Sequence, residues 1–192
     1  MGPVTGRIAM KLPTDRSVFQ NAWVVNDLTA AMNKWISFYG VGPFYVLDRL
    51  DLTGTRYRGK ESELVLSVGL AQAGPVQIEL IYQHNKGPSV YRDLVPEGGT
   101  GFHHVCIYSH DYPADRRYFE AAGYETAMEG GSPDGSLIFA YFDTRKDFDV
   151  FTEVITPAPG IMARNEMVAK AAVDWDGTDP IRIITADGYE VP

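Results

Sequence analysis

The sequence predicts an α+β fold in which the order βαβββ occurs twice, followed by a C-terminal helical extension. Three observations carry this expectation. Strand-like runs rich in aromatic and β-branched residues outnumber helical stretches, and in two places such a run passes directly into an amphipathic helix. Asp27 and Asp111, each closing a strand and opening a helix, are 84 residues apart, and so are Gln20 and His104 in the preceding strands. Gly40 and Gly123, which end the two helices, are 83 apart, a slip of one residue. Internal self-similarity of this kind constrains a fold more than any single motif.

Residues 1–17 hold scattered Gly, Pro and charge without sustained periodicity and read as a lead-in. The first module spans residues 18–84. FQNAWVV reads as its first strand, Asn26-Asp27 as a helix cap, and Leu28, Ala31, Met32, Trp35, Ile36 and Tyr39 as the apolar stripe of a helix that Gly40 terminates. PFYVLDRL, ELVLSVGLAQ and VQIELIY supply three more strands. Residues 85–100 are polar and turn-rich, a connector with a short helix around Tyr91. The second module spans residues 101–156. FHHVCIYS is its first strand, Asp111 caps and Pro113 opens a helix to about Ala122, a short strand lies near Tyr124 to Met128, and SLIFAYFD and DVFTEVIT close the module. In residues 157–192, Ile161, Met167, Val168, Ala171, Ala172 and Trp175 recur at helical spacing, which suits a helix packing on the modules with no chemistry of its own.

Bulk properties exclude several classes. With 25 acidic and 17 basic side chains the formal charge is −8, so a phosphate backbone is repelled and nucleic acid is not an expected partner. The single Cys106 has no intramolecular disulfide partner, the N-terminus lacks a signal-peptide core, and no apolar run approaches membrane-spanning length. A cytoplasmic protein without membrane attachment is expected.

Four polar residues interrupt otherwise apolar strands. Gln20 and His104 lie in the first strands of the two modules, Glu79 and Glu153 in the last. Burying two carboxylates among apolar neighbours is costly without a counter-charge, and a dication would supply one. Three oxygens and one imidazole nitrogen suit Zn, Ni, Co, Mn or Fe, and ligand type alone does not choose among them. Six-coordination would leave two positions for substrate. By strand alternation Cys106 and Tyr108 share a face with His104, and Gln77 and Ile81 share one with Glu79, while His103 points away. Cys106 reads as a packing residue. Asp48, His84 and Asn85 are further polar residues that could reach a substrate.

The stretches FQNAWVVNDLTAAMNKWISFYGVGPF, VQIELIYQHN with PSVYRDL, and GFHHVCIYSHD resemble the vicinal oxygen chelate superfamily of glyoxalases, bleomycin-resistance proteins and dioxygenases. The likeness covers about residues 18–156 and looks nearest to the glyoxalase subgroup containing methylmalonyl-CoA epimerase, with EVIT the loosest match. It implies two modules pairing into curved sheets that enclose one divalent metal ion held by Gln20, Glu79, His104 and Glu153, and a homodimer. Gln20 departs from the more frequent His at its position, and the resulting ligand set is similar to that of some glyoxalase I enzymes.

A small molecule with two neighbouring oxygens suits such a centre. Chelation acidifies the carbon between them, the ion stabilises the enolate, and carboxylates move the proton. The expected function is therefore a metal-dependent epimerase or isomerase of a small carbonyl or acyl-thioester substrate, with Glu153 as principal base and Glu79 as its partner. A glyoxalase I-like lactoylglutathione lyase shares these requirements, although no compact basic cluster for glutathione carboxylates is recognisable. An extradiol dioxygenase fits less well, because Gln20 replaces one histidine of its iron pattern. A non-catalytic binder of the bleomycin-resistance type remains open on the same scaffold.

Overall fold

A computed structural model describes residues 17–192. Of the expected lead-in at 1–17, residues 1–16 lie outside the described residues. The class is mixed α+β, with one curved sheet whose strands run in the order β12-β11-β2-β5-β6-β1-β7-β10-β9-β8-β3-β4. The strands are β1 (Val18–Val24), β2 (Phe44–Leu47), β3 (Thr53–Tyr57), β4 (Lys60–Glu61), β5 (Leu66–Ala73), β6 (Val76–Gln83), β7 (Gly101–Tyr108), β8 (Thr126–Gly131), β9 (Ile138–Phe142), β10 (Phe151–Ile155), β11 (Ile181–Thr185) and β12 (Gly188–Glu190). The helices are α1 (Leu28–Tyr39), α2 (Val90–Leu94), α3 (Tyr112–Ala121), α4 (Arg145–Phe148) and α5 (Pro159–Ala171).

Local chemistry sets the helix ends. The Asp27 side chain accepts a hydrogen bond from the Ala30 N–H and starts α1; Gly40 ends it with a left-handed φ of 66°. Asp111 caps α3 in the same way through the Ala114 N–H. Strands β2, β5, β6 and β1 are neighbours on one side of the sheet, and β8, β9, β10 and β7 on the other. The two runs meet where β1 pairs antiparallel with β7, flanked by parallel β6 and β10. The centre of the sheet is therefore the four-strand block β6-β1-β7-β10.

Alternation divides the side chains between the faces. On the outer face of the first run, Val25, Phe44, Ile78 and Leu80 pack with Met32 of α1. On the outer face of the second, Ile107, Phe142 and Val154 pack with Phe119 of α3. The inner faces share one core containing Leu66, Val68, Leu70, Tyr141, Phe151 and Ile155, closed by Val168 of α5. Each fully buried aliphatic or aromatic side chain of this core stabilises the fold by about 2 kcal/mol.

Two features were not read from the sequence. The β3-β4 hairpin leaves the first run and pairs with β8 at the far edge of the second, with Arg56 opposite Glu129. Arg58 secures that crossing by contacting Asp93, Glu125 and Asp143. The C-terminal region also adds strands as well as a helix: β11 pairs parallel with β2, Ile181 opposite Phe44, and β12 turns back beside it.

Candidate functional site

The central strands bring the predicted residues together by register. Ala22 of β1 is the partner of both Glu79 on β6 and His104 on β7. One step along the same face, Cys106 of β7 is the partner of both Gln20 on β1 and Glu153 on β10. Two adjacent rows thus carry the four polar groups, and the small, fully buried Ala22 and Cys106 leave room between them. Acceptor and ring atoms of Glu79, His104 and Glu153 lie within 4.8 Å of one another. Gln20 lines the same cavity as both glutamates.

The His104 ring is completely buried. Its Nε2 lies 3.1 Å from Glu153 Oε2 and 3.4 Å from Glu79 Oε2, yet makes a hydrogen bond of acceptable geometry with neither. Buried polar atoms are rarely left so. Two carboxylates converging on a buried imidazole nitrogen without satisfying it form a donor set that suits a divalent cation. Gln20 completes it in kind: its Nε2 donates to Gln77 Oε1 at 2.7 Å, which leaves its carbonyl oxygen free for other use.

The other ring nitrogen of His104 is held. His103 Nε2 lies 3.0 Å from the Val90 carbonyl oxygen, which only accepts, so the proton sits on His103 Nε2. His103 Nδ1 then accepts from His104 Nδ1 at 3.0 Å. With Nδ1 carrying a proton, Nε2 is the nitrogen left to face the two carboxylates, and it becomes a ligand on giving up its own proton. As expected from alternation, His103 does not line the cavity.

Charge is distributed unequally. Burial tends to lower the His104 pKa, but the close approach of the Glu153 and Glu79 carboxylates overcomes it and raises the value to about 9. Burial and the neighbouring His104 lower His103 to about 3. Burial raises the Glu79 carboxyl, with the Glu153 charge adding to the rise. Burial acts on Glu153 in the same sense, but His104, Cys106 and Tyr141 more than offset it and hold this carboxyl below its ordinary range. Burial also pushes the Cys106 thiol well up, consistent with a packing role.

The cavity measures about 100 Å³, and most of its wall is aliphatic, including Leu47, Leu66, Val68, Leu70, Leu137 and Ile155. Asp48 and His84 are not in that wall. They meet instead at Ser67, at 2.5 and 2.6 Å, in a separate cleft beside α1 and β11. Asn85 is occupied by the backbone of Val65 and Glu63. Conversely, Arg164 and Asn165 of α5 do line the cavity, although that helix was expected to carry no chemistry. Their spacing was legible: positions 161, 164, 165 and 168 fall on one helical face, so two polar residues stood on the stripe that Ile161 and Val168 define.

No helix among the described residues is long and apolar enough to cross a membrane. No curated protein sequence matches the chain. Methylmalonyl-CoA epimerase from Mycobacterium tuberculosis is similar in structure, with a TM-score of 0.53 at 14% identity over 82% of this chain and 97% of that one. A hypothetical protein from Bacillus halodurans has a TM-score of 0.53 at 15% identity, over 73% of this chain and 93% of its own. At such identities the likeness is one of fold. The family model described as glyoxalase/bleomycin resistance protein/dioxygenase superfamily matches residues 19–142, and with that match over more than half of its length the chain belongs to this superfamily.

Proposed function

We propose that the protein is a metal-dependent epimerase or isomerase that moves a proton next to the carbonyl of a small carbonyl or acyl-thioester substrate. The observation that carries this reading is the pair of unlike carboxylates on either side of His104 Nε2, one with its pKa raised and one held ionised, in an apolar cavity. Environments that push two carboxyls apart mark an acid and a base. Residues 18–84 and 101–156 are read as two modules whose first and last strands supply the ligands.

His104, Glu79, Glu153 and Gln20 would hold the ion, and His103 would keep His104 in the tautomer that ligation requires. A bound divalent ion would supply Lewis-acid polarisation of the substrate carbonyl. Glu153, held ionised, takes the proton from the carbon beside the carbonyl. Glu79, which retains a proton more readily, returns one from the other side, giving epimerisation; return to the adjacent carbon gives isomerisation. The aliphatic wall excludes water and so limits leakage of the proton. A fold-level likeness to an epimerase is consistent with this reading, but the residues carry it.

The test measures metal content and deuterium uptake from D₂O by methylmalonyl-CoA and by the methylglyoxal-glutathione adduct. Exchange or epimerisation of the thioester, lost in Glu153→Gln with the metal retained, is the expected result. Turnover of the adduct alone would move the assignment to a lactoylglutathione lyase. A protein that takes up no divalent metal would overturn the reading in favour of a binder.

A further inference from the structure

The proton-transfer reading leaves one charged group of the cavity without a task. Arg164 projects from α5 into the same enclosure as Glu79 and Glu153. Its Nε is buried and has no hydrogen-bond partner, and the side chain enters no ion pair among the described residues. Guanidinium groups in apolar surroundings are ordinarily paired, because the desolvation of the charge is otherwise uncompensated. Burial accordingly works against its charged form, and the charges of Glu79, Tyr108 and Glu153 only partly compensate. The half-buried side chain therefore bears a cost at its Nε that its own packing offsets only in part.

We propose that Arg164 is a specificity-determining residue that binds the anionic group of the substrate, so that the protein acts on small carbonyl compounds carrying a carboxylate. The inference rests on the metal-dependent reading above and extends it to the substrate class. Charge bookkeeping supports it. A dication cancels the two glutamates, which leaves the half-buried guanidinium as one net positive charge at the cavity wall, and a monoanion restores neutrality. Shape supports it too, because the guanidinium fork offers parallel N–H donors that match a carboxylate edge.

The rest of the wall limits what the anion is attached to. Leu66, Leu137, Ile155 and Ile161 present only aliphatic surface, and the volume of about 100 Å³ admits a compact body of a few carbons. A longer carrier would have to remain outside. Helix α5 is held in place next to Arg164, because Asn165 Nδ2 donates to the Tyr108 hydroxyl on β7 at 2.8 Å and Val168 is completely buried. The guanidinium is thus presented from a fixed element, which suits discrimination between substrates.

The test uses the full chain loaded with a divalent metal and two probes of equal size, 2-oxobutanoate and its uncharged amide, with binding followed by calorimetry. A preference of roughly 10- to 100-fold for the acid is expected, as charge-assisted hydrogen bonds provide. Because the ion also favours the acid, Arg164 is read from the change: Arg164→Leu should weaken the acid about 10-fold or more and the amide by less than about two-fold at unchanged metal content, and Arg164→Lys should keep part of the difference. Thermal unfolding of the ligand-free protein separates binding from a structural role. Arg164→Leu should leave Tm unchanged or raise it, since no partner is lost. A Tm lowered by several degrees with the preference intact overturns the proposal, as does wild-type protein that binds both probes equally or neither at millimolar concentration. If Arg164→Leu does not fold, Arg164→Lys and Arg164→Gln decide, and a full preference in the glutamine variant overturns the proposal. Deuterium uptake at C3 of 2-oxobutanoate reports on the reaction separately: a preference for the acid without uptake supports the role of Arg164 and counts against proton transfer, whereas uptake without a preference does the reverse.

Discussion

The Nδ1 atoms of His103 and His104 lie 3.0 Å apart, and the far nitrogen of His103 is tied to the Val90 carbonyl at the same distance. This chain passes from the start of α2 to the cavity and ends on the nitrogen that faces Glu79 and Glu153. A backbone oxygen thereby selects the tautomer of a residue two rings away. Removing an outer partner of a ligating histidine typically lowers metal affinity about 10- to 100-fold. His103→Phe keeps a ring stacked on Phe151, now 5.2 Å from the imidazole, and removes the acceptor. Metal affinity in that variant should fall within the stated range while far-ultraviolet circular dichroism is unchanged. An unaltered dissociation constant would show that the tautomer is set some other way.

Metal uptake should depend on pH in a defined direction. Ligation needs His104 Nε2 unprotonated, whereas the metal-free protein holds that proton up to a pKa of about 9. Binding at pH 7 should release close to one proton, measurable as a buffer-dependent calorimetric enthalpy, and apparent affinity should climb about tenfold per pH unit from pH 7 toward 9. The same shift acts on folding. Because the folded pKa lies above the ordinary 6.5, its contribution to the metal-free fold is complete below pH 6.5 and disappears as pH rises through 9. Metal-free Tm should fall across that window and metal-loaded Tm should not. A flat metal affinity from pH 7 to 9 would contradict the assignment of His104.

Glu79→Gln and Glu153→Gln should differ. With Glu153 as the base, its amide variant loses deuterium uptake by about 100-fold or more. The Glu79 variant should keep uptake at the carbon while losing inversion, because one face can still exchange. Nuclear magnetic resonance of the substrate in D₂O distinguishes the two, and identical profiles would dissolve the division of roles.

Ala22 and Cys106 separate the polar groups across the sheet, and neither has spare room. Ala22→Leu or Cys106→Leu should cost about 1–3 kcal/mol by overpacking and eliminate metal binding. Cys106→Ala should lose about 1 kcal/mol and keep turnover, since the thiol is buried and its pKa raised. Folded protein should also resist thiol-labelling reagents. Loss of turnover in Cys106→Ala at unchanged metal content would make the sulfur a participant.

The sequence by itself determined the α+β class, the two capped helices and the strands on which Gln20, Glu79, His104 and Glu153 stand. Those features are local: an aspartate cap, a glycine stop and a period of two or 3.6 residues are written in neighbouring side chains. Only the tertiary structure decided that β6, β1, β7 and β10 are adjacent, because their order depends on pairing between segments as far apart as Val18 and Ile107, 89 residues. The same is true of the β3-β4 hairpin, whose partner β8 lies in the other half, and of Asp48 and His84, which register placed in the outer cleft. Arg164 is the clearest case. Its position on the buried face of α5 was readable from periodicity, but what that face covers was not, since a helix's apolar stripe fixes which side is buried and leaves open what it is buried against.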